Sequence, residues 1–199
     1  MSATETFVHF VANGVPVSVR SHHPHLLSAL RDELNITSPK DGCSPSGQCG
    51  CCTVLINGKA VVSCQTTLDK VAGADVVTLE GIGEEERKRY SDAFAACGGL
   101  QCGFCIPGMV MAATSILRTN PNANIEEIKE EMGGNICRCT GYQKIFEAVE
   151  IARDVILGKI NESYFENYEK PERSYLGANV KRIDAPSKVT GRLKYAADM

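Results

Sequence analysis

The stretch Asp41–Cys52, DGCSPSGQCGCC, places Cys43, Cys49, Cys51 and Cys52 among three glycines within a dozen residues. Cys64 follows after a hairpin-like segment, and a second set, Cys97, Cys102, Cys105, Cys137 and Cys139, lies further on. Ten cysteines with no tryptophan in 199 residues admit two classes, a disulfide scaffold or a metal protein. Disulfide frameworks belong to small secreted chains that cannot build a core, and MSATETFVHFVANG lacks the basic and apolar regions of a secretory signal. Adjacent cysteines such as Cys51 and Cys52 rarely pair with each other but readily ligate one ion or cluster. The reading is a cytoplasmic metal protein.

The spacing refines this. Cys43-x5-Cys49-x2-Cys52-x11-Cys64 is one residue longer in its first gap than the plant-type ferredoxin spacing, an insertion that a loop absorbs. Four thiolates around a [2Fe–2S] cluster give an anionic centre that the loop must wrap with its N–H groups. Gly42, Gly47 and Gly50 allow that approach and the positive φ it needs. Successive residues of an extended segment point opposite ways, so Cys52 is the expected ligand and Cys51 is not. The second group is Cys102-x2-Cys105-x31-Cys137-x1-Cys139. Each of its pairs precedes a predicted helix, whose N-terminal dipole favours an anionic cluster. Structural zinc, the competing reading for all eight thiols, favours two-to-four-residue spacings at each site, and a single residue separates Cys137 from Cys139.

Around these groups the chain falls into three parts. Residues 1–82 are strand-rich: Phe7–Val11 and Val15–Arg20 flank Asn13-Gly14, and Thr53–Ile56 and Ala60–Ser63 flank Asn57-Gly58. Both Asn-Gly pairs signal hairpins. Pro16 suits an edge strand. A helix is predicted over Pro24–Leu34 and a further strand over Val76–Leu79. Residues 83–160 read as a small helical bundle, with helices over Glu84–Ala96, Pro107–Arg118, a short one capped by Asn124, and Tyr142–Leu157. Glu127 completes the capping box and Gly158 stands at the last helix's C-terminus. Residues 161–199 read as an extended linker followed by a strand-like tail too short for its own core. The fold class is α+β.

The order of the two groups, with QCGFCIPG (101–108) and CRCTGY (137–142), resembles the iron–sulfur part of the molybdenum hydroxylases, the xanthine dehydrogenase and aldehyde oxidoreductase family. The resemblance covers residues 5–160. It implies a β-grasp plant-type ferredoxin domain with an outer [2Fe–2S] cluster on Cys43, Cys49, Cys52 and Cys64. A four-helix-bundle domain then carries an inner [2Fe–2S] cluster on Cys102, Cys105, Cys137 and Cys139. It also implies a molybdopterin (dinucleotide) cofactor in an adjoining domain or subunit, contacted by Gln101 and Cys139. Electrons would pass from molybdenum through the inner and outer clusters to FAD in a separate subunit or to an external acceptor. The parent enzyme would oxidise an aldehyde or a purine-like N-heterocycle, within a larger oligomer. KRIDAPSKVTGRLKYAADM (181–199) resembles the opening of the molybdenum-binding portion.

Other residues read more plainly. Cys51 and Cys97 suit small buried hydrophobes. His22, His23 and His25 suit solvated positions at a helix entrance, Met109 and Met111 suit bundle packing, and Arg138 suits either an anionic cofactor or solvent. Without the resemblance, Gln101 would be an ordinary surface glutamine. A net charge of -3 with scattered lysines and arginines excludes a nucleic-acid footprint. No apolar run approaches the ~20 residues of a membrane span. The alternatives that remain are a stand-alone [2Fe–2S] carrier and a zinc-stabilised interaction module.

Overall fold

The computed structural model describes residues 6–165 and 182–199. Five strands form a mixed sheet: β1 (Phe7–Ala12), β2 (Val15–Arg20), β3 (Thr53–Ile56), β4 (Lys59–Val62) and β5 (Asp75–Val77). Their order is β2-β1-β5-β3-β4. Both predicted hairpins form, and Asn13, Gly14, Asn57 and Gly58 all take the positive φ that tight two-residue connections demand. Pro16 lies on β2, an edge strand, where its missing N–H costs no ladder bond. Strand β1 runs parallel to β5, and β3 runs antiparallel to it, so the late strand β5 joins the two hairpins.

Alternation along β3 divides the core. Val54 points to one face, with Phe10, Leu26, Leu30 and Val76. Leu55 points to the other and joins the helical core with Met109, Val110 and Phe94. Helical turns over Leu26–Glu33 cover the first face; they open as α1 (Leu26–Ser28) and widen over Ala29–Glu33. The second face is covered by α3 (Ile106–Thr119), tied to β4 by Ser115, whose hydroxyl accepts from Ala60 N at 3.2 Å. Helices α2 (Glu84–Cys97) and α5 (Tyr142–Ile156) pack on each other. The short α4 (Ile125–Glu131) touches α3 and α5. Gly98 and Gly158 end α2 and α5 with positive φ, as expected of glycines after a C-cap.

One expectation fails. The tail is not strand-like and exposed: Ala185–Val189 forms a helix, α6, with Ala185 and Val189 buried against α2 and α3. Pro186 in its first turn and the four-residue spacing of Ala185 and Val189 are the signals that mark it. The extended linker begins with a helical turn over Glu162–Phe165, and the rest of it, 166–181, lies outside the described residues.

Candidate metal centres

The loop 41–52 leaves the helical turns and returns into β3. Gly47 and Gly50 take φ of 78° and 66°, so the loop reverses where a side chain would strain it. Gly42 supplies close approach: a Cβ there would lie 3.0 Å from Cys49 Sγ. Ser46 N donates to Cys43 Sγ at 3.3 Å. Burial alone would push the Cys43 thiol up; hydrogen bonds from Ser46 and from the backbone at Cys49 and Gln48 prevail and hold it at about 6. Cys52 and Cys64 meet each other in a small buried cluster with Leu27. Burial pushes the Cys52 thiol up to about 12, with the Cys64 charge adding to it.

Cys49 and Cys43 are likewise in direct side-chain contact, and burial raises the Cys49 thiol. Cys51 also touches Cys49 but is turned to the helical core, away from Cys52 and Cys64. Cys51 and Cys52 thus have different surroundings, as expected, but in the turn before β3 and not in an extended segment.

The second group forms where two loops lead into helices. Cys105 immediately precedes α3, and Cys137 and Cys139 lie just before α5. Cys105 contacts Cys137, and Cys102 contacts Cys139. All four thiols line one small cavity with Gln101, Ile106 and Ile145. Burial raises the Cys105 thiol, and the Cys137 charge beside it acts in the same direction. Cys139 is held low by hydrogen bonds from the backbone and side chain of Cys102. Tyr142, the first residue of α5, accepts from Cys137 N at 2.8 Å and so fixes the ligand loop to the helix.

Thus eight thiols meet as four pairs, two pairs in each group. A [2Fe–2S] cluster has two irons, each taking two thiolates, and paired thiols are the donor set it fits. The glycine-enforced approach at Gly42 and the cavity shared by Cys102, Cys105, Cys137 and Cys139 fit the same group.

The two groups are neighbours. Ile136 N donates to Cys49 O at 2.9 Å, and the buried Asn135 Nδ2 donates to Gly50 O at 2.8 Å. Gly108, on α3, allows this closeness, since a Cβ there would lie 2.4 Å from Gly50 O. Gln101 is exposed, and its Nε2 donates to Cys139 O at 3.0 Å, so the two residues matched to pterin contacts stand together at the surface. Arg138 is exposed. Of the three histidines expected to be solvated, His22 is exposed, but His23 is not, its side chain 8% exposed and its Nε2 bonded to Glu33 at 2.7 Å, and His25 Nδ1 accepts from Ser28 N. Sequence reading missed Arg182, Lys188 and Tyr195, which reach the inner loop from more than 80 residues away.

Comparison with known proteins shows the family. Residues 78–150 match the [2Fe–2S] binding domain family. The chain is 42% identical to the nicotinate dehydrogenase small FeS subunit of Eubacterium barkeri, over 67% of this chain and 85% of that one. It is 38% identical to the aldehyde oxidoreductase of Megalodesulfovibrio gigas, over 94% of this chain but 21% of that protein. The crystal structure of the Desulfovibrio desulfuricans aldehyde oxidoreductase superposes with a TM-score of 0.87 at 34% identity, covering 96% of this chain and 22% of that one. The chain belongs to the [2Fe–2S] iron–sulfur components of the molybdenum hydroxylases. It is an oxidoreductase component, and it spans about a fifth of the aldehyde oxidoreductases it matches. Among the described residues no helix is long and apolar enough to cross a membrane.

Proposed function

We propose that this chain is the electron-relay part of a molybdopterin-dependent hydroxylase, with Cys43, Cys49, Cys52 and Cys64 holding an outer [2Fe–2S] cluster and Cys102, Cys105, Cys137 and Cys139 an inner one. The observation that carries this reading is the meeting of eight thiols as two sets of two pairs. When bound, the clusters supply one-electron storage and transfer. The chain's residues supply ligation, N–H donation to sulfur as from Ser46 to Cys43, and burial, which together set each potential. The order of the sheet and its single covering helical segment support a β-grasp ferredoxin domain over 1–82. Helices α2–α5 support a four-helix domain over 83–160, and 161–199 then leads into the molybdenum-binding part.

The exposed Gln101 and the half-buried Cys139, hydrogen-bonded to each other at the inner group, are the proposed contacts to a molybdopterin dinucleotide in the adjoining domain or subunit. Partners on the acceptor side are a flavin subunit or an external acceptor, in a cytoplasmic oligomer. Relatives named for aldehydes and for nicotinate bracket the proposed substrates of the whole enzyme, an aldehyde or an electron-poor N-heterocycle.

Metal analysis of the natively purified particle tests the reading. Two clusters predict four irons per chain, molybdenum co-purifying, and little zinc. Stoichiometric zinc without iron, in protein prepared without air, overturns it. Four irons without molybdenum leave the clusters standing and remove the hydroxylase assignment in favour of a free carrier.

A further inference from the structure

The tail places its cations on the inner ligand loop. Arg182 donates to Leu100 O at 2.6 Å and to Gln101 O at 3.0 Å, and Lys188 Nζ donates to Gln101 O at 2.9 Å. The methylenes of Lys188 lie over the turn between Cys102 and Cys105: a Cβ on Gly103 would come within 2.8–3.0 Å of them. Asp184 accepts from both cations, which leaves the trio with one net positive charge. The Lys188 side chain is only 13% exposed, so solvent screens it poorly. The cations nearest the outer loop are arranged differently. Lys40 and Arg31 both bind the buried Asp198 carboxylate, at 2.6 and 2.8 Å, a trio of the same net charge, but the other side-chain bonds of Arg31 go to Thr37 O, Pro39 O and Ala197 O and not to the loop between Cys43 and Cys52.

We propose that Lys188, with Arg182, tunes the inner cluster, a fixed positive charge over the Cys102–Cys105 turn that favours the reduced state there and not at the outer cluster. One-electron reduction adds one negative charge to a cluster, and a cation held nearby in a poorly solvated place stabilises that charge. The tail therefore couples its own docking to the potential of the inner cluster: when it is seated, the inner cluster accepts an electron more readily. This rests on the ligand assignment proposed above.

The test is an EPR-monitored reductive titration of the full chain within its native particle, using dithionite and mediators. Lys188→Gln and, separately, Arg182→Gln are expected to move the inner midpoint to lower potential with the outer midpoint unmoved. Lys188→Arg is expected to keep the wild-type value. The Cys52→Ser variant, which retains only the inner signal, identifies which midpoint is which. An inner midpoint unchanged in both glutamine variants overturns the proposal, as does an equal shift of both clusters. Loss of the inner signal in Lys188→Gln also overturns it, because the lysine would then be an anchor and not a tuning charge. Absence of [2Fe–2S] signals from the wild-type particle instead refutes the ligand assignment itself.

Discussion

The outer thiol group draws three of its four proposed ligands from one loop, Cys43 to Cys52, and the fourth from just beyond the hairpin that this loop feeds. The inner group draws two from each of two loops separated by α3 and α4, so its thiols meet only when the helices have packed. Solvent treats the groups differently too. In the outer group Cys43 is half-buried and the other three are buried; in the inner group Cys102 is exposed and Cys139 half-buried, beside Gln101. The outer site is thus built by local chain geometry, with glycines bending the backbone to the sulfurs. The inner site is built by tertiary contact and left open on the side where Gln101 stands. A ligand site made by a loop tolerates damage at a distance; one made by helix packing does not.

The largest expected effect isolates the outer group. Cys52→Ser removes half of the Cys52–Cys64 pair and is expected to lower the iron content from four to two per chain, with the inner signal retained. Cys51→Ser, one residue away, is expected to keep all four, because Cys51 does not join the Cys52–Cys64 pair. Equal iron loss in the two variants would show that the chain does not distinguish these neighbours. Cluster insertion must strip protons from thiols that burial has raised, among them Cys52 and Cys105, so acid opposes loading of both groups.

A smaller effect tests how the tail joins the two regions. Asp198, with its side chain fully buried, binds Lys40 at the entrance of the outer loop and Arg31 on the helical turns. Tyr195 N also donates to Asp198, and the Tyr195 hydroxyl donates to Cys102 O, so one short segment touches both ligand loops. Its ring meets Phe104 edge-on at 5.0 Å and lies under the Lys40 ammonium. Asp198→Asn leaves Lys40 buried without its counter-charge, which costs about 3 kcal/mol, the lower end for a broken buried pair. The lower end applies because burial already holds the Lys40 ammonium below its ordinary value, so it sheds its proton readily.

Burial alone would raise the Asp198 carboxyl, but Lys40, Tyr195 N and Arg31 hold it below the usual carboxylate range. A depressed folded value gives stability that is present above the unfolded value near 3.9 and lost as pH falls through the folded one. The Asp198 contribution is therefore expected to disappear below about pH 4 in the wild type, and the variant's acid melting curve is expected to lack that step. A step of the same size in both would exclude Asp198 as its source.

How far the sequence carried the reading follows the same division. The two hairpins were legible because Asn13-Gly14 and Asn57-Gly58 each hold their whole signal within two residues. The eight thiols were legible as two groups because ligand spacing and helix starts are local, and the capping box at Asn124 and Glu127 likewise. Cys51 and Cys52 do have different surroundings, but they lie in the turn that precedes β3 and not in the extended segment on which the expectation rested. The continuity of the core across β3 did not, since nothing near Leu55 announces that α3 will cover its face. The tail was misread for the same reason. Asp198 meets Arg31 and Arg182 meets Leu100 across 167 and 82 positions, and no local pattern encodes a partner so distant. The contact of Cys49 with both Cys43 and Cys51 was also invisible, because spacing gives the order of sulfurs and not their distances.

The smallest effect is the sharpest probe of whether the two regions are separate at all. Asn124 caps α4, its Oδ1 accepting from Glu126 N at 2.9 Å and Glu127 N at 3.0 Å, while Glu127 accepts from Asn124 N at 2.7 Å. Removing this cap with Asn124→Ala costs about 1 kcal/mol. In a chain of this size that lowers the melting temperature by roughly 2–4 °C. No thiol is touched, but α4 packs on α3 and α5, the two helices that present the inner thiols, and its Ile128 is fully buried between them. If the inner site depends on helix packing and the outer on its loop, heating this variant should bleach the inner signal first, by a margin wider than in the wild type. Simultaneous bleaching at the lowered temperature would mean that Leu55 and its neighbours bind sheet and bundle into one cooperative unit. The local character of the outer loop would then describe how that site is shaped and not how it survives.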